Sequence, residues 1–176
     1  MELNMKKKVI NKNTIILVTI LGGIIGFIYE TIFYKIDLGY FVKRGSTFGP
    51  WIPIYAFGSL FITLLVYPYR KKPWIVFLLS MFITLILEYG TGYVLLNFFH
   101  IRLWDYNTEI WNFGNINGFI CLRSIALFTL AGLFLVYSVI PIISKIQNKI
   151  KSKTLNIICN TLAILFIIDM ILYHIF

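Results

Sequence analysis

The sequence predicts an all-α fold, a polytopic membrane helix bundle with about five transmembrane helices and structured loops on the outward side. Two observations predict it. Hydrophobic residues make up 59% of the 176-residue chain, charged residues only 13%, and the mean hydropathy is +0.84, a balance too apolar for a domain wetted on all sides. The apolar residues are also gathered into five runs of the length that a hydrocarbon core about 30 Å thick requires, roughly 14–34, 50–69, 74–98, 118–143 and 155–175. A spanning β-barrel does not fit, because its strands alternate apolar and polar over about ten residues, whereas these runs are apolar all round. The connections are short, so residues 1–176 read as a single integral membrane domain.

Taken in order, the first span, "TIILVTILGGIIGFIYETIFY", follows the basic stretch "KKKVINK". It is too long for a signal h-region and carries no small-residue cleavage site, so it reads as an uncleaved signal anchor. Gly22 and Gly26 form a GxxxG ahead of Glu30, placing the acid on the face that permits close helix approach. The second span is entered through "VKRGSTFGPWIPIY", where Gly45, Gly49, Pro50 and Pro53 predict a sharply structured re-entry. It carries a polar stripe of Tyr55, Ser59 and Thr63. In the third span Ser80, Thr84, Glu88 and Thr91 recur at helical spacing on one face. The fourth offers Asn117, Cys121 and Ser124, with Arg123 about five residues inside it. The fifth carries Asp169, with Tyr173 one turn on.

Lysine and arginine set the expected orientation. Lys6, Lys7, Lys8, Lys12, Arg70, Lys71, Lys72, Lys145, Lys149, Lys151 and Lys153 fall on one side, and Lys35, Lys43, Arg44, Arg102 and Arg123 on the other. Eleven against five predicts a cytoplasmic N-terminus and an extracytoplasmic C-terminus. The net charge of +9 is then mostly bias toward a membrane surface, which makes membrane lipids the expected partner and argues against nucleic acid. Cys121 and Cys159 fall at opposite ends of different spans and read as packing residues. His100 and His174 lack metal-ligand spacing, and the residues name neither a metal nor a cofactor.

Glu30 lies sixteen residues beyond Thr14 and Glu88 fourteen beyond Trp74, about 24 Å and 21 Å across at a helical rise of 1.5 Å. Both acids therefore fall in the outer half of the bilayer, where a carboxylate costs up to about 2.5–3.5 kcal/mol and needs a partner or a cavity. Burying the four polar faces against one another predicts a polar interior open to the outside. Arg44 and Arg123 lie on the same side. Either they neutralise Glu30, Glu88 and Asp105 in an internal network, the reading favoured here, or they grip an anionic or lipid headgroup.

The outward connection "HIRLWDYNTEIWNFGNING" holds more side-chain chemistry than a short connector needs. Trp51, Trp104, Trp111, Tyr106 and Tyr40 fall near expected outer span ends, as in an interfacial belt. Trp104 and Tyr106 also flank Asp105, and could shield it and raise its pKa in a way suited to proton exchange. Alternatively Asp105 caps a helix start or pairs with Arg102. The whole stretch is expected to fold as a lid over the polar pocket, with Asn112, Asn115 and Asn117 supplying hydrogen bonds to the loop.

Several of these motifs, "GFIYETIFY", "FVKRGSTFGPWIPIYAFG", "LEYGTGY", "RLWDYN" and "WNFGNINGFICLRSIALF", in this order, make residues 22–140 similar to the bacterial ABC transporter permease family of type IV, or CmpB-type. The fifth helix, 155–175, with Asp169, falls outside that resemblance. The chain departs from the family pattern at Ala56 and Phe57, where a glycine nearer Tyr55 is usual, and in the extended "NTEIWNFGNING". The resemblance implies a small multi-pass protein of the bacterial cell membrane, working with a separate ATPase or another membrane subunit. No P-loop of the GxxxxGK[ST] type is present in this chain, and the inward connections "YRKKP" and "KIQNKIKSK" are short and basic.

Three functions follow. The first is a permease component whose outward pocket of Glu30, Arg44, Tyr55, Glu88, Trp104, Asp105, Tyr106, Asn117 and Arg123 holds the substrate, with Glu30 and Glu88 coupling protons or cations. The second is a membrane-embedded enzyme in which Asp105, Glu30 and Glu88 bind a hard divalent cation or act as acid and base on a lipid or lipid-linked substrate at the outer leaflet. The third is an accessory subunit docking another membrane protein. Carboxylates at depth fit the first two better than a docking surface, and transport is the leading reading.

Overall fold

The computed structural model describes residues 10–175, the side chain of His174 excepted, so the Lys6, Lys7 and Lys8 cluster lies outside the described residues. The fold is an all-α membrane bundle. Helix α1 runs over Lys12–Leu38, α2 over Pro53–Tyr69, α3 over Pro73–Phe99, α4 over Leu122–Gln147 and α5 over Ser152–Ile175. Four of them, α1, α3, α4 and the Ser152–Tyr173 part of α5, are long and apolar enough to cross a membrane, and α2 is shorter.

The boundaries have local causes. Asn11 caps α1 by accepting from the Asn13 N–H at 3.2 Å, and Gly39 closes it in the left-handed conformation that a side chain disfavours. Pro53 and Pro73 open α2 and α3 at the first helical position, where a missing N–H costs nothing. Two helices are interrupted in the same way. A π-helical stretch occupies Ile62–Val66 in α2 and Leu135–Val139 in α4, each followed at the second residue by a proline, Pro68 and Pro141. A proline in that place offers no N–H to the carbonyl one turn back, so the hydrogen-bond register shifts.

The GxxxG of α1 is where α2 packs. A Cβ at Gly22 would overlap the Ser59 side chain, and one at Gly26 the Tyr55 ring. The two helices run antiparallel in close contact. Because Tyr55 stands level with Gly26, α2 starts about 18 Å below the outer end of α1. The expected span 50–69 therefore stops short of the end of the bundle at which α1 finishes. Its re-entry dips into the bundle, and the Ile52 N–H donates to the Gly23 carbonyl at 3.0 Å. Trp51 is correspondingly no belt residue, since its ring meets Phe166 of α5 edge-on at 5.7 Å.

Helices α3 and α4 also pair antiparallel, with Gly132 against Ser80 and Ser124 against Glu88, eight residues apart on both helices. The two pairs meet at the end of the bundle where α1 begins, the inner end in the expected orientation, in an apolar core of Val18, Ile62, Val66, Val76, Leu135, Val136, Ile140 and Ile143. Helix α5 lies against α1 and α2 through Phe166, Ile20 and Ala56, and the Asn13 amide donates to Asn156 at 2.6 Å. Exposed faces such as Ile28, Ile32 and Ile36 on α1 are apolar, as lipid contact requires.

Candidate functional site

Beyond that core the two helix pairs part and leave a cavity of about 460 Å³, walled by α1, α2, α3 and α4 and bordered at its far end by Trp104, Tyr106 and Glu109 of the 100–121 connection. That connection is tightly folded. Tyr106 N–H donates to the Gly118 carbonyl at 3.0 Å, and Ile116 bridges to Ile120. The Asn115 amide donates to the Asn107 side chain at 2.6 Å and its oxygen accepts from Gly118 N–H at 2.9 Å, while the Asn112 amide donates to the Asn107 carbonyl at 3.3 Å. Gly118 has φ 75, and a Cβ there would run into Arg102, Asp105 and Asn107. Its turn keeps 116–121 out of the helix, so α4 begins at Leu122 and not at 118.

Two polar groups meet at the cavity's outer end. In the first, Arg44 Nε donates to Glu30 at 3.0 Å, and the Arg44 guanidinium lies 3.6 Å over the Tyr34 ring. Tyr34 in turn donates its hydroxyl to Glu109, which also accepts from Arg123 Nη2 at 2.5 Å. The Arg123 guanidinium rests 4.1 Å over Phe33, and the Ile110 N–H bonds Asp37 at 3.1 Å. The connection is thus pinned to α1 and α4 at once. In the second group Glu88 accepts from the Tyr106 hydroxyl at 2.6 Å and from Ser124 at 2.9 Å. Burial, followed by the nearby Glu88 carboxylate and its hydrogen bond, holds the Tyr106 phenol well above its ordinary pKa of 10.0, so it stays a donor.

Glu30, Tyr55, Glu88, Trp104, Tyr106 and Arg123 all line this cavity, with the Tyr55 hydroxyl directed at Glu30. Three expected site residues do not line it. Arg44 stands behind Glu30 and Tyr34. Asp105 turns outward, paired with Arg102 at 3.1 Å and accepting from Asn107 N–H at 3.0 Å. Trp104 and Tyr106 line the cavity while Asp105 between them does not, so the two rings do not enclose it. Asn117 occupies a turn with φ 55, a conformation asparagine tolerates, and its amide reaches Tyr89 at 3.3 Å. Arg123 is the second residue of α4 and is half-buried, with Nη2 on Glu109 of the connection.

Glu109 is the acid that sequence reasoning passed over. Its signal was indirect: an arginine expected about five residues inside a span needs a counterion, and Glu109 is the other acid of the adjoining connection. Tyr34, one turn beyond Glu30 on the same face, was legible at i+4 spacing. Among the described residues no three His, Cys, Asp or Glu side chains group as a metal-ligand set. Asp169 serves elsewhere, accepting from the N–H groups of Phe48 and Gly49, both at 2.9 Å, and from Trp51 Nε1 at 2.5 Å. It clasps the re-entry to α5.

A family model described as "Putative ABC-transporter type IV" matches residues 17–173, reaching past the expected limit of 140 to take in α5 and Asp169. Neither a curated protein nor a solved structure matches the chain.

Proposed function

The chain belongs to this type IV ABC-transporter family, and on that premise we propose that it is the membrane-embedded component of a transporter whose substrate site is the cavity between the two helix pairs. One observation carries the reading. Three carboxyl groups, Glu30, Glu88 and Glu109, and the guanidinium of Arg123 border one cavity at membrane depth, where each ionisable group is costly and rarely serves only the fold. The lysine and arginine bias supports a cavity whose polar end faces the outside of the bacterial cell membrane, with the N-terminus cytoplasmic and the C-terminus extracytoplasmic. A separate ATPase would then dock at the inner turns around Arg70, Lys71, Lys72 and Lys149.

A second reading, an enzyme acting on a lipid-linked substrate, draws on the Ser124 hydroxyl donating to Glu88 at 2.9 Å, an arrangement that could hold a reacting hydroxyl against a base. The experiment is complementation of a deletion strain. Glu30→Gln and Glu88→Gln are expected to reach the membrane at the wild-type level and to lose function, while Asp105→Asn keeps it. Retention of function by both glutamine variants would overturn the proposal. Loss in Ser124→Ala with retention in Glu30→Gln would favour the enzyme.

A further inference from the structure

The cavity is polar at one end and open sideways at the other. Its outer end is bordered by Glu88, Tyr106, Glu109 and Arg123, and its deeper wall by apolar residues down α4 as far as Val139. From Arg123 to Val139 is sixteen residues, about 24 Å, longer than the roughly 15 Å of one leaflet of a hydrocarbon core near 30 Å. Between the ring contact of Tyr29 with Phe128 above, at 6.5 Å, and the Val18 and Leu135 core below, α1 and α4 part. In that gap Ile25 on α1 and Leu130 and Phe134 on α4 line the cavity while 48%, 60% and 59% exposed. Ile25 lies about 8 Å below Glu30 and Phe134 about 15 Å below Ser124 along their helices. A mouth at that depth opens into lipid, so whatever passes through it is apolar where it passes.

The polar end has donors to spare. Arg123 uses Nη2 for Glu109, while its Nε and Nη1 are buried without an acceptor, with only the weakly accepting Cys121 thiol near. A buried N–H left unbonded is costly, and a guanidinium suits a phosphate oxygen.

We propose that the cavity takes a lipid, with a phosphate-bearing head at Arg123 and its hydrocarbon tail lying in the gap between α1 and α4. The proposal rests on the reading of this cavity as the substrate site. Its test uses the full chain in phosphatidylcholine nanodiscs and phosphatidic acid carrying a photoactivatable diazirine in one acyl chain. Cross-links are expected at Leu87 and Leu127, which line the cavity away from bulk lipid. They should fall about tenfold in Arg123→Lys, which keeps a cation for Glu109 but loses the extra donors, and also in Leu130→Trp, which fills the mouth without touching the ion pairs. Unlabelled phosphatidic acid should compete and inorganic phosphate should not. Cross-links confined to outward faces such as Ile28 and Phe82, or unchanged in both variants, or displaced by inorganic phosphate, would overturn the lipid assignment. If Glu88→Gln abolishes function but no cavity cross-link forms, the lipid assignment falls and transport stands. Cavity cross-links in a protein whose acids are dispensable leave the lipid site and remove the transport reading.

Discussion

The inner and outer halves of this bundle hold their helices together by different means. Inside, Val18, Val66, Val76, Val136 and Ile140 interlock with almost no exposed surface, and cohesion is dispersion between close-fitting apolar chains. Outside, the helices stand apart around a cavity and are joined by Glu109, Arg123, Tyr34, Glu88 and Tyr106. Lipid tails are as apolar as the core, so apolar packing confers little specificity in a membrane, whereas a buried ion pair is satisfied in one arrangement only. The inner half is therefore a clamp and the outer half a keyed, hydrogen-bonded chamber.

The largest expected effect lies in the keyed half. Arg123→Met leaves Glu109 buried without its cation and should cost about 3–5 kcal/mol, read as a fall in thermal stability in detergent. Adding Glu109→Gln should recover much of it, and additive losses would remove the pair from the account. Next comes the clamp. Ile140→Ala is expected to cost about 2–4 kcal/mol with no rescue from any single partner, because a cavity among many neighbours has no one complement.

Tyr106→Phe should cost about 1–2 kcal/mol by taking a donor from Glu88. It also carries a pH signature. With the folded pKa raised above 10.0, the folded state keeps a proton that the unfolded state gives up, so this contribution is fully present below about pH 10 and is lost as the pH rises beyond it. The stability gap between wild type and Tyr106→Phe should shrink as the pH rises above 10, and a gap that widens there would reverse the sign. Asp105→Asn marks the small end, under about 1 kcal/mol, because its pair with Arg102 is partly exposed.

Much of the frame was legible in the chain. Run length gave the long helices, and the GxxxG of Gly22 and Gly26 marked the α1 face that α2 meets. Rise per residue set Glu30 and Glu88 at one depth, and both line one cavity. What escaped was geometry created by loops. Nothing in the spacing of "GSTFGPWIPIY" says that it descends to Gly23, so run length alone extends α2 to the surface. Nor does periodicity reveal which way Asp105 and Glu109 turn, because the connection has no repeating face and its direction is set by Gly118, Asn117 and distant partners on α1. Pro68 and Pro141 carried no expectation of the π-helical stretches, and only the paired helices show that both stretches lie beside the same end of the cavity.

The most direct test of the outer chamber is labelling of Thr84→Cys by a membrane-impermeant thiol reagent applied to intact cells, against the baseline of the buried Cys121 and Cys159. Protection is expected while Glu109 pins the connection over the cavity, and labelling from outside once Glu109→Gln releases it. Labelling that is indifferent to Glu109, or that appears only after the cells are permeabilised, would contradict an outward chamber covered by that connection.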